Sequence, residues 1–254
     1  MPIKDRPSGL TLKAVQRQVV GAVSRVQWTI RRVMNDLWPT YQLRISTPRL
    51  QLRLPNDGEL AQLAALAGQG VHLPSERPFL TPWTEGTAED RARFVLREHW
   101  AQLSGWAVDN WRLGLGAFGS NGEPVGMVTL RARDFPVARE VTTSSWLGLR
   151  HHRKGLGTEA RLGLLTLAFG HLAAEAALTE VFQDNHASQG VSRKLGYEPD
   201  GISRDARGSE VWVSDRLRLN RSQLGVCHAL GRRGRRHRCM SAHVRRVILD
   251  RLNL

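Results

Sequence analysis

The chain has 254 residues, with 37 Lys and Arg against 23 Asp and Glu, giving a formal charge of +14. Its hydrophobic share of 41% is enough for a core and excludes wholesale disorder, and the lack of any run of about 18 apolar residues excludes a membrane-spanning helix. Two cysteines, Cys227 and Cys239, exclude a disulfide framework and point to a reducing, cytoplasmic setting.

The charge is concentrated at the ends. Residues 1–40 hold seven basic and two acidic side chains, and residues 225–254 hold eight arginines and one aspartate, leaving +2 for residues 41–224. A nucleic-acid enzyme carries its basic stripe on the folded domain as well, so the near-neutral body argues against one. The expected organisation is a basic extension over 1–40, a folded domain over 41–224 and a basic, disordered tail over 225–254. In the first of these, Val15, Val19, Val23, Val26, Ile30, Val33 and Leu37 recur at helical spacing with Arg17, Arg25, Arg31 and Arg32 between them. That pattern predicts a basic amphipathic helix, able to act as an RNA- or membrane-surface arm. Met34 opens an alternative start.

Leu50–Leu54 alternates with period two and reads as a strand closed by Pro55. Asn56 or Asp57 caps a helix that runs to about Ala67 and ends at Gly68. Residues 69–87 contain Pro74, Pro78 and Pro82 with Gly70 and Gly86, and read as a long irregular segment of the kind that often carries function. A helix follows over Ala88–Leu103, with Phe94, Val95 and Trp100 on its apolar side. Trp111–Phe118 and Pro124–Arg131 are strand-like runs joined through Asn121-Gly122, a strong hairpin signal.

Further strands fit Arg139–Leu149 and Leu178–Phe182, with a helix between them from about Thr158 to Ala174. A short helix over Ala187–Leu195 and a strand pair over Ile202–Leu219 complete the body. An antiparallel meander followed by one strand–helix–strand unit predicts an α+β fold.

Two glycine clusters invite a phosphate reading. Gly114, Gly116 and Gly119 match the dinucleotide fingerprint, but an Asn-Gly turn and a strand follow where a helix is needed, so they read as strand residues. Gly155-Leu156-Gly157-Thr158 has the right surroundings, with a strand before it and an apolar helix after it. A helix N-terminus offers unpaired N–H groups and a positive dipole end to phosphate oxygens, and Arg153 and Lys154 add charge there. In the tail, Cys227, His228, His237, Cys239 and His243 lack the paired spacing of a zinc site, so no metal is expected.

His152-Arg-Lys-Gly155-Leu-Gly157 resembles the Gln/Arg-x-x-Gly-x-Gly/Ala loop of the GNAT N-acyltransferases, with His152 where Gln or Arg is usual. Asn185-His-Ala-Ser188, continuing to Leu195-Gly196-Tyr197, is similar to a segment of the RimJ/RimL branch, and so is Thr47-Pro48-Arg49-Leu50. The resemblance implies a mostly antiparallel sheet with splayed central strands flanked by helices. It implies acetyl-CoA, or succinyl-CoA, as acyl donor to an amine of a small molecule, peptide or protein, with a homodimer allowed.

By position, pantetheine would pair with the backbone of Trp146, Leu147, Gly148 and Leu149, the Leu149 amide also polarising the carbonyl. Pyrophosphate would lie on the stretch His152, Arg153, Lys154, Gly155, Leu156, Gly157 and Thr158. Asn185 and Ser188 would approach the thiol end, with Ser188 as candidate acid. For the general base, Asp205 near Arg207 and Glu140 or Asp134 beside the splayed strand are the candidates. The competing reading is a basic-armed RNA- or ribosome-associated binding protein.

Overall fold

The computed structural model describes Met34 and residues 36–223. The basic helix predicted over most of residues 10–38 and the tail with its Cys and His residues lie outside the described residues. The chain divides into two units, the first ending at Gln42 and the second beginning at Leu43. Of the first, a 3-10 turn over Pro39–Gln42 is regular. All that follows concerns the second.

Eight strands form one sheet in the order β1-β2-β3-β4-β5-β6-β8-β7. They are β1 (Arg44–Ser46), β2 (Leu50–Arg53), β3 (Asn110–Gly119), β4 (Pro124–Arg133), β5 (Glu140–Leu147), β6 (Ala176–Phe182), β7 (Glu198–Arg207) and β8 (Glu210–Asn220). Four longer helices accompany them: α1 (Asp57–Gln69), α2 (Ala88–Ser104), α3 (Leu156–Gly170) and α4 (His186–Lys194). Every neighbouring pair is antiparallel except β5–β6. The mixed, mostly antiparallel α+β fold is the one expected.

Local chemistry sets the element ends. Asn56 and Glu59 make a reciprocal capping box at the start of α1, and Thr87 and Asp90 make another at the start of α2. Gly68 does not end α1 as expected. It lies in the last turn, where a Cβ would press on the Ala88 carbonyl, and Gly70 at φ +118° terminates the helix instead. Gly114, Gly116 and Gly119 all lie in β3. Trp100 corrects another expectation: it is 54% exposed, while His99 and Val95 turn inward. The core on this face gathers Leu60, Leu63, Ala64, Val95, Phe118 and Met127.

The parallel pair does not stay paired. β5 and β6 share three rungs, Glu140 with Ala176, Val141 with Ala177 and Thr142 with Leu178. Beyond them β5 keeps its ladder to β4 as far as Leu147, and β6 keeps its ladder to β8 as far as Phe182. Each strand follows its outer neighbour, so the two fork apart. At the crotch a side chain replaces a backbone rung, with the Thr179 hydroxyl donating to the Thr143 carbonyl at 3.3 Å. Among the described residues no helix is long and apolar enough to cross a membrane.

Candidate functional site

Beyond Leu147 the chain turns at Gly148 into a 3-10 turn over Leu149–His151 and reaches α3 through residues 152–155. A Cβ on Gly148 would run into the buried Leu66 side chain, so this corner packs on α1 only as glycine. At the head of α3, Gly155 sits at φ +76° and supplies no side-chain cap. The first amide to find a backbone carbonyl there is that of Glu159, bonded to Gly155 at 3.1 Å. The amides of Arg153, Lys154, Gly155, Leu156, Gly157 and Thr158 have no partner among the described residues, and the stretch is exposed or half-buried. Uncapped donors at a helix start, with Arg153 and Lys154 beside them, form an anion cradle.

The cradle is braced from the first hairpin. Arg49 donates through Nε to Glu159 at 2.6 Å and through Nη1 to the Lys154 carbonyl at 2.8 Å. Glu159 also accepts from the Thr47 hydroxyl and the Arg49 amide, each at 2.7 Å. Burial by itself would raise the Glu159 pKa, but these bonds from Thr47 and Arg49 outweigh it and hold the carboxyl below its ordinary value. Thr47-Pro48-Arg49-Leu50, noticed in the sequence only as a likeness, therefore has a mechanical task.

The residues proposed for the open edge of β5 are only partly placed there. Strand backbone groups alternate sides. The Trp146 carbonyl lies against Gly126 of β4, and the Gly148 amide donates to Val125 at 3.0 Å. The Leu149 amide, expected to polarise a carbonyl, donates instead to Gly70 at 3.0 Å, because the turn after Gly148 carries it toward the end of α1. Thr143, Ser145 and Leu147 are the residues whose backbone faces the fork. The Leu147 carbonyl accepts from His152 Nε2 at 3.1 Å, which gives that histidine a defined position beside the cradle. Ser145 was not singled out from sequence; only the strand register reveals it.

On the other arm, the Asn185 side chain caps α4 by accepting from the Ser188 amide at 3.1 Å, which leaves the Ser188 hydroxyl out of the cap. Glu140 is not brought to the open end. It begins β5 at the paired end of the fork and forms an ion pair with Arg218. Asp134 lies beyond it, before a one-turn helix over Phe135–Ala138. Asp205, on β7 opposite Trp212, shares a face with the fork's far arm.

That face can be followed around the opening. Trp146 pairs in register with the core residue Met127, so its side chain lies on the α1–α2 side. It meets Trp83 of the irregular segment at 5.9 Å between ring centroids, and Trp83 stacks on Phe94 at 4.9 Å. Two residues on, Glu85 is ion-paired with Arg207 of β7. The Arg207 guanidinium lies 4.2 Å over Trp212, which meets Phe182 of β6 edge-on at 4.9 Å. These contacts close a ring from β5 to β6 in front of the fork. Among the described residues no group of three His, Cys, Asp or Glu could hold a metal ion.

A family model described as an acetyltransferase (GNAT) domain matches residues 49–198. Several solved structures share the fold. A GNAT-family acetyltransferase from Bacillus anthracis is 15% identical with a TM-score of 0.55, covering 71% of this chain and 99% of its own. RimL, a ribosomal α-N-protein acetyltransferase in complex with coenzyme A, is 15% identical with a TM-score of 0.53, covering 70% and 98%. The microcin self-immunity acetyltransferase MccE, in complex with acetyl-CoA and AMP, is 14% identical with a TM-score of 0.54, covering 68% and 93%.

Proposed function

Because the chain belongs to the acetyltransferase (GNAT) domain family, we propose that it moves an acetyl group from acetyl-CoA to a primary amine, by direct attack of the neutral amine on the thioester. The observation that carries this reading is the cradle of unpartnered amides from Arg153 to Thr158 at the open end of the β5–β6 fork. A diphosphate satisfies those donors and the positive end of the helix dipole together. The thioester arm then extends along the edge of Thr143, Ser145 and Leu147, with Asn185 and Ser188 on the opposite side.

The acceptor enters from the other face, within the ring of Trp146, Trp83, Glu85, Arg207, Trp212 and Phe182. Holding amine and thioester in attack geometry supplies much of the acceleration, since no covalent enzyme intermediate is needed. In this reading Asp205, which shares the face of Trp212, takes the amine proton, directly or through water, and Ser188 is the candidate donor to the departing sulfur. Asn185 serves by fixing the first turn of α4.

The structural relatives act in one case on a ribosomal protein N-terminus and in another bind AMP beside acetyl-CoA, so the acceptor class proposed is an N-terminal or small-molecule amine. The two-cysteine composition supports a cytoplasmic setting. Incubation with acetyl-CoA or succinyl-CoA and a panel of amines and peptides, read by product mass, tests the proposal. Acetylated amine is the expected product; no acylation of any acceptor, with free amines present, would contradict it.

A further inference from the structure

A buried cation lies across the fork. Arg161, in the second turn of α3, is only 5% exposed. Its Nη1 donates to Ser192 Oγ of α4 at 3.2 Å, and its Nη2 reaches Ser145 Oγ of β5 at 3.5 Å. Its Nε is buried with no partner. Arg49, Arg53, Arg207 and Arg218 are all ion-paired, whereas Arg161 has no carboxylate partner among the described residues. Among the described residues, the titratable side chain that acts on it is Tyr197, whose hydroxyl lies 3.3 Å from Thr143 Oγ1 and whose own ionisation burial pushes upward. Burial lowers the Arg161 pKa, yet a guanidinium stays protonated at any working pH. Burying an ion without a counter-charge is unfavourable. Such a charge is poised for an anion.

Its position says which anion. Ser145 belongs to the half of β5 that has left β6, and Ser192 Oγ donates to the Ser188 carbonyl at 3.1 Å, one turn from the candidate acid. The guanidinium therefore joins both walls of the opening from the α3–α4 side. We infer that Arg161 is a catalytic residue that stabilises the coenzyme A thiolate as it leaves. This rests on the reading of the fork as the acetyl-CoA site.

In the step, the lone pair of the amine nitrogen forms the new C–N bond and the C–S bond breaks with its electron pair kept by sulfur. The excess proton on nitrogen passes to Asp205, directly or through water, and the thiolate, once formed beside the cation, takes its proton from Ser188, which regains one from solvent. Sulfur is neutral in the thioester and anionic on departure, so a fixed cation there favours the transition state over the ground state.

The test is the ionisation of the thiol of bound coenzyme A, followed by its ultraviolet thiolate band against pH, with the desulfo analogue as blank. On the native protein the thiol is expected to ionise about one pH unit or more below free coenzyme A, as beside an opposite charge. Arg161→Met is expected to abolish that depression and Arg161→Lys to retain part of it. Replacing a buried ion by a similar apolar chain is commonly tolerated by the fold. If Arg161→Met fails to fold, the native protein and Arg161→Lys still decide. A thiol on the native protein that ionises as in free coenzyme A would overturn the inference, as would an unchanged depression in Arg161→Met. Failure of coenzyme A to bind at all, in a calorimetric titration of the same sample, would instead overturn the cofactor reading, and the inference with it.

Discussion

Glu159 shows how one side chain can serve a site that it does not touch. It accepts three hydrogen bonds from Thr47 and Arg49, and Arg49 in turn fixes the Lys154 carbonyl inside the anion cradle. Glu159→Gln is expected to cost about 1–2 kcal/mol of stability at neutral pH, discounted for the exposed Arg49, as read by urea unfolding. The folded pKa of Glu159 lies below its ordinary value of 4.5, so its contribution is complete above that value and is lost as pH falls through the folded pKa. The two proteins should therefore converge in stability in acid. Persistence of the difference at a pH where both side chains are uncharged would assign it to packing. Gly155 of the cradle was legible in the sequence because a turn at positive φ before a helix leaves so few alternatives. Arg161 was not legible, since an arginine in an apolar helix reads as surface until the fold closes over it.

Among elements, the fork between β5 and β6 organises everything else. Its existence followed from the family resemblance, but its depth did not, because pairing register depends on what each strand finds on its outer side. The same limit explains the Leu149 error: the alternation of Glu140–Leu147 was readable, whereas the turn that carries the Leu149 amide to Gly70 depends on the packing of Gly148 against Leu66. β1 went unseen because three residues carry almost no pattern. The β7–β8 hairpin is tied to the irregular segment by Arg207, Glu85 and Trp212. Cutting that tie should loosen acceptor positioning without touching the cradle. Arg207→Met is expected to raise KM for the amine roughly tenfold, equivalent to ~1.4 kcal/mol, with acetyl-CoA affinity unchanged in parallel titrations. An equal loss of acetyl-CoA affinity would contradict the division of the site into two faces.

For the molecule as a whole, charge and chemistry are segregated. The family match spans residues 49–198, inside the near-neutral body, while the basic excess belongs to residues 1–40 and 225–254. A protein trimmed to residues 41–224 is expected to keep acetyl-CoA binding, and any salt-sensitive retention on RNA should disappear with the ends. The reverse pattern would favour the basic-armed binding protein. The claim beneath all of this is that backbone amides at the start of α3 hold a diphosphate. Beyond ordinary contact with Leu147 at 3.5 Å, Gly157 has open space where a side chain would stand, so Gly157→Trp should fold and cover those amides. Calorimetric titration of both proteins with acetyl-CoA is the decisive measurement: saturable binding to the native protein and none to a folded Gly157→Trp is predicted, and equal affinity for the two would contradict the account.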